Sequence, residues 1–254
     1  MSAPATTAWM LVAIAMLLRP APASACGCGG SIPSSLATQH ADIVFVGTIA
    51  RIDHPEPISQ TQVNADGSAR VTVEANSGPD LVVFDVSHVY KGPSAGQFGL
   101  LRGNSSCDFP FTTGETWLVY MEEHVGGFRA YKCSRTRLIS EATSDLMYLD
   151  GIEHKRPQGI VYGDVFRRGD GPNGPALHAV SDPFTVMASN GLQMFATATE
   201  RWGPFELILP PGDFEIWAEQ NHKTLAPKRG VHVMNGADVR LQLVVDSNNR
   251  REPR

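Results

Sequence analysis

Four cysteines carry most of the reactive chemistry in this sequence: Cys26, Cys28, Cys107 and Cys133. The first two stand one residue apart, shortly behind an apolar run from Trp9 to Leu18. Three chemistries compete for a Cys-x-Cys in such a place: a lipid anchor on Cys26, a metal or redox site, and a terminus tied down by disulfides. A lipobox prefers Leu three residues ahead of the modified cysteine, where this chain has Ala23. Structural zinc usually spaces its ligands by two to four residues, and neither Cys107 nor Cys133 has a histidine at motif spacing. An even set of cysteines outside the reducing cytosol makes disulfides the default. No intrinsic metal and no cofactor are expected.

The remaining titratable residues offer less. The eight histidines show no metal spacing, and His88 and His232 sit in strand-like sequence. Glu122-Glu123-His124 pairs carboxylates with an imidazole, but it falls at a hairpin tip and reads as a solvated face. There is no His-Glu-x-x-His and no phosphate loop. The expectation is a protein that is not an enzyme.

The compartment follows from the first 25 residues. The run from Trp9 to Leu18 is shorter than the roughly 20 residues a transmembrane helix needs. Arg19, a Pro/Ala stretch and the small-x-small sequence Ala23-Ser24-Ala25 come next. That order is a signal peptide over 1–25, although the run has no Lys or Arg before it. The mature chain is expected to begin at Cys26 and to be secreted, periplasmic or at the cell surface, meeting a membrane only if Cys26 is lipidated. Hydrophobic residues make up 42% of the chain, charged residues 19%, and the net charge is −5. An acidic chain without a basic run gives no reason to expect a nucleic-acid partner.

The elements that must position the cysteines are strands. Glycine and proline are plentiful, at 24 and 18, and helical periodicity is scarce. "DIVFVGTIARI" from Asp42 reads as a strand, apolar on both faces at first and alternating toward Ile52. After "HPEP" and a turn at Asn64–Gly67 comes alternating "ARVTVEA", then "LVVFDVSHVYKG" from Leu81, the strongest strand signal. "GETWLVYMEEHVGGFRAYKC" predicts a hairpin with Trp117, Val119 and Met121 on one face, a turn at Gly126-Gly127, and Phe128, Ala130 and Lys132 returning to Cys133. "SEATSDLMYLDG" predicts one short helix, capped by Ser or Thr and stopped at Gly151. The charged, proline-broken "EHKRPQ" then marks a boundary between a domain over 26–152 and one over 158–246. The second is strand after strand: "GIVYGDVF", "FTVMAS", "MFATATE", "FELILPPG", "DFEIWAEQ", "GVHVM" and "VRLQLVV". Short strands divided by Gly/Pro turns predict a β-sandwich. The polar tail over 247–254 is expected to be disordered.

The order "CGC" at 26–28, "VYKG" at 89–92, "NSSC" at 104–107 and "GGFRAYKC" at 126–133 resembles the inhibitory N-terminal domain of the tissue inhibitors of metalloproteinases. That resemblance implies a netrin-like, five-stranded OB-fold barrel with a short helix. It also implies the pairing Cys26–Cys107 and Cys28–Cys133. By the same resemblance, the amine and carbonyl of Cys26 would chelate the zinc of a target protease, and Gly27 would stand at its specificity pocket. Ser105 and Ser106 would line the same ridge. Gly27 has no side chain to fill a pocket, and the family's third bridge in this domain is missing. The second segment, through "GIVYGDVFRRGDGPNGPALHAV" and "GPFELILPPGDFEIWAEQ", resembles carboxypeptidase regulatory-like or prealbumin-like sandwiches. The fold class expected is all-β, a disulfide-linked OB-fold barrel plus a β-sandwich. The function expected is an exported binding protein, a metalloprotease inhibitor acting through the ridge Cys26, Gly27, Cys28, Ser105 and Ser106. The competing reading is a structural or adhesion module at the cell surface without inhibitory activity, including a lipoprotein anchored at Cys26.

Overall fold

The computed structural model describes residues 32–56, 58–63, 69–74, 78–103, 105–171, 174–200 and 203–246, with backbone alone for 58–63 and 69–74. The predicted signal peptide, Cys26, Gly27, Cys28, the Asn64–Gly67 turn and the 247–254 tail lie outside the described residues. What is described is mostly β-structure.

A short helix α1 (Ser34–His40) precedes strand β1 (Ile43–Asp53). The hairpin β2 (Ile58–Val63) and β3 (Ala69–Glu74) follows, then β4 (Asp80–Lys91), β5 (Gln97–Arg102), β6 (Thr116–His124), β7 (Gly127–Arg129) and β8 (Arg137–Leu138). Strands β5-β4-β1-β6-β7 form one antiparallel sheet in that order, with β8 added to β6. Its outer strands β5 and β7 are not paired with each other, although they approach: a Cβ on Gly127 would stand 3.0 Å from Leu101 Cδ1. The expected five-stranded barrel is therefore an open half-barrel. The physical reason is the brevity of β7, three residues long, which leaves too short a ladder to close the edge.

Both faces of this sheet are covered, which explains the apolar start of β1. Ile43, Phe45 and Ile49 join Val82, Phe84, Leu100, Trp117, Val119 and Met121 in one core. Its aromatic rings meet edge to face, Phe45 with Phe84 at 5.5 Å and Phe111 with Trp117 at 4.8 Å, the arrangement aromatic quadrupoles favour. Val44, Leu118 and Tyr120 point the other way, into a second core with α1 and helix α2 (Thr143–Glu153).

Two expectations for this half need correction. The hairpin turn is Val125-Gly126 rather than Gly126-Gly127, and the return strand stops at Arg129, so Ala130 and Lys132 are not strand residues. Helix α2 has Ala142 at its N-cap with no side-chain cap, and it runs through Gly151 to Glu153. Gly151 is there for space: a Cβ would stand 1.9 Å from Gln158 Oε1. Helix α1 had no periodic signal, being seven residues long.

The C-terminal half is two sheets face to face. Strand β9 (Gly159–Gly171) is the centre of the first, flanked by β10 (Gly174–Ala179) and β13 (Pro204–Leu209) end to end, and by β17 (Asp238–Asp246) in parallel. Strand β14 (Gly212–Gln220) centres the second, with β11 (Thr185–Ser189) and β12 (Met194–Ala198) beyond it on one side. On the other side lie β15 (Lys223–Thr224) and β16 (Arg229–Val233). Val161, Val165, Leu207, Leu209 and Leu243 of one sheet pack against Val186, Ala188, Phe214 and Ile216 of the other. In β13, "FELIL" sets Phe205, Leu207 and Leu209 in alternation against Glu206 and Ile208, which would put the latter pair on an outer face. Phe205, Leu207 and Leu209 enter the core, but Glu206 and Ile208 are buried too, because α2 covers the outer face of this strand.

Candidate binding ridge and its supports

Ser105 and Ser106 occupy a tight turn built around one carboxylate. Asp108 accepts the N–H and O–H of Ser105 at 2.9 and 2.6 Å and the N–H of Gly103 at 3.1 Å. The amide of Cys107 donates to Ser105 Oγ at 3.2 Å. Burial pushes the Asp108 carboxyl up, but these donors, helped by the charge of Arg129, outweigh it and hold the group below the usual carboxylate range. A second turn, closed by Ser134 N–H on Tyr131 O at 2.7 Å, carries Cys133. Lys132 of that turn donates to Ser106 O at 3.2 Å and so ties the two together. Cys107 and Cys133 are disulfide cysteines, and no cysteine among the described residues is free. No bridge joins two described residues. The structure thus places Ser105, Ser106, Cys107 and Cys133 in neighbouring turns, while Cys26, Gly27 and Cys28 are outside the described residues.

The chain that leads from those first cysteines enters the structure at Ile32, and what holds it was invisible in the sequence. Lys91, the lysine of "VYKG", donates to Thr38 O, Gln39 O and Ala41 O at 2.9, 3.1 and 2.5 Å. It satisfies carbonyls left free at the C-terminal end of α1. At the other end of α1, Ser34 N–H donates to Glu206 Oε2 at 2.9 Å and Ser35 Oγ donates to Asp238 Oδ2 at 2.6 Å. Ile32 O accepts from Arg135 at 2.8 Å.

Arg135 is the hub of a buried charge network between the two halves. It reaches Asp145 at 2.5 and 2.8 Å and Glu206 at 3.0 Å, and Asp145 also accepts Tyr120 O–H at 2.9 Å. The side chains of Arg135, Asp145 and Glu206 are 6%, 0% and 4% exposed, so bulk water screens none of them. Burial raises the Tyr120 hydroxyl, and Asp145 beside it raises it further. Burial also raises the Glu206 carboxyl, with Arg135 opposing. Glu206 Oε1 and Ser34 Oγ are buried without a hydrogen-bond partner among the described residues. Beside this network opens a cleft of ≈770 Å³ whose walls include Lys132, Arg137, Ser144, Thr197 and Glu206.

Two further clusters stand apart. Buried Asp80 is held by Arg102 and by His54 Nδ1, the latter at 2.8 Å. Asp150, Glu153 and His154, at the end of α2, bring three donor atoms within 4.8 Å of one another, a grouping the histidine spacing alone did not reveal. His88 and His232 are strand residues as expected, each with a carboxylate neighbour, Glu153 and Asp213. Glu123 and His124 are exposed at their hairpin, and Glu122 is half-buried. No helix among the described residues is long and apolar enough to cross a membrane.

The sequence matches no protein-family model and no curated protein. Among solved structures, that of the Bacillus anthracis TIE protein is similar at a TM-score of 0.27 and 10% identity. The similarity covers 82% of this chain and 31% of that one, so this chain spans under a third of that protein's length.

Proposed function

We propose that this chain is an exported, non-enzymatic binding protein whose contact surface is the ridge formed by Cys26, Gly27, Cys28, Ser105 and Ser106, and whose target is a zinc metalloprotease. One observation carries the reading: the turns bearing Cys107 and Cys133 are adjacent, tied by Lys132 to Ser106, and both cysteines are disulfide-bonded. Two neighbouring anchors are what a Cys-x-Cys needs to be clamped at two points. The strand order β5-β4-β1-β6-β7 supports the finer fold reading, since it is the order of an opened five-stranded OB barrel. In this reading the pairing is Cys26–Cys107 and Cys28–Cys133, and the α-amine of Cys26 is the zinc ligand. Its reference pKa near 8 leaves a usable neutral fraction at physiological pH.

The test is made on protein exported by its native host. Non-reducing peptide mapping should find both bridges and an unmodified Cys26 terminus, and the same protein should inhibit a member of a panel of thermolysin-class and metzincin-class endopeptidases. Gly27→Thr should tighten that inhibition, because a side chain then fills the pocket that Gly27 leaves empty. An acylated Cys26, or a different terminus, sinks the zinc-ligand mechanism and leaves an anchored adhesion module. Intact bridges with no inhibition by either form would leave the structural role.

A further inference from the structure

Glu206 is an anomaly of its strand. In "FELIL" an apolar side chain at this position would bury without an ionic partner, and a buried carboxylate is costly unless its charge and lone pairs are matched. Here one oxygen, Oε1, has no hydrogen-bond partner among the described residues, and burial holds the carboxyl above its ordinary range. What the other oxygen does is specific. It accepts the first N–H of α1, that of Ser34, where the N-cap residue Pro33 supplies no side-chain cap. Glu206 also faces Arg135 at 3.0 Å, and Arg135 holds Ile32 O at 2.8 Å. Asp238, from β17 in the same half, takes the hydroxyl of the next residue, Ser35, at 2.6 Å. Three of the four residues Ile32–Ser35 are thus gripped from the C-terminal half or through a residue that half holds. Ile32 follows Cys28 by only four positions.

We infer that Glu206 is a positioning residue for Ile32–Ser35, the stretch that follows the N-terminal cysteines, acting through Ser34 and Arg135. The C-terminal sandwich is accordingly a working part of the ridge rather than a spacer behind it. The consequence for binding rests on the ridge reading proposed above, whereas the positioning of Ile32–Ser35 does not.

Hydrogen exchange on the full exported chain separates the two. Glu206→Ala should raise exchange at the Ser34 amide by about tenfold or more, while amides of β1 and β6 keep wild-type rates. Glu206→Gln retains a carbonyl acceptor of the same length and should restore most of the Ser34 protection. Asp238→Ala, a milder change at an exposed contact, should loosen the same segment by a smaller factor. Unchanged Ser34 exchange in Glu206→Ala would overturn the inference, and so would an equal rise across β1 and β6, which is general destabilisation. Against any zinc endopeptidase the wild type inhibits, Glu206→Ala should weaken inhibition by about tenfold with Glu206→Gln in between. A loosened Ser34 with undiminished inhibition would overturn the role in binding. A loosened Ser34 in a protein whose wild type inhibits nothing would refute the ridge reading and uphold the positioning.

Discussion

Asp80 illustrates how a single buried carboxylate ties chain segments together. It is 5% exposed and lies between Arg102 of β5 and His54, just past β1. Burial pushes its carboxyl up, but the hydrogen bonds and charges of Arg102 and His54 together outweigh it and hold the group below the ordinary range. A depressed folded value means that ionised Asp80 stabilises the fold at pH above its unfolded value of about 3.9. That contribution is lost as pH falls through the folded value. Asp80→Asn should therefore lower stability to urea at pH 7, and the gap from wild type should shrink steadily below about pH 4. A gap independent of pH would show that the carboxylate charge does not matter. The sequence placed an Asp at the start of a strand; nothing in it pointed to Arg102 or His54, because such partners are set by strand pairing.

At the scale of elements, the strongest constraints are close backbone approaches. Strand β9 pairs in parallel with β17, the Cα of Gly163 standing opposite that of Leu241. A Cβ on Gly163 would lie 1.8 Å from Leu241 O, and its φ of +156° is one that L side chains rarely adopt. The obstacle is backbone, so no rotamer change relieves it. Gly163→Ala should cost about 3 kcal/mol or more, read as a fall in the urea midpoint, by forcing β9 and β17 apart. A near-wild-type midpoint would mean that the two strands can separate at that point without loss. "GIVYGDVF" was legible as a strand from its Val and Ile content. Nothing in the sequence said that a neighbouring strand runs over its Gly163.

The whole molecule depends on charge buried where its two halves meet. Removing one member of a buried ion pair leaves the other uncompensated, which typically costs about 3–5 kcal/mol. Asp145→Ala leaves Arg135 with Glu206 as its remaining close carboxylate and Tyr120 O–H without its acceptor. It should reduce unfolding free energy by up to about that amount, and a triple variant, Asp145→Leu with Arg135→Met and Glu206→Gln, should recover much of the loss because none of the three charges is then left buried without its partner. Calorimetry of wild type, single and triple variants checks this, and a triple variant no better than the single would show that the network gains more from its hydrogen bonds than it loses by desolvation.

Strand positions were largely readable, because alternation and β-branched content are local properties. β1, β4, β6 and all seven strands named in the C-terminal half appear close to where residue pattern put them. Three things needed the folded chain. Whether the first sheet closes depends on how long β7 remains extended, and three residues are too few. Whether Glu206 faces water depends on α2 lying over β13. What holds the N-terminal segment depends on Glu206 and Asp238, about 170 and 200 positions away in sequence from Ser34 and Ser35. Residue type and spacing carry local propensity, but burial and partnership at that separation arise only when the two halves pack.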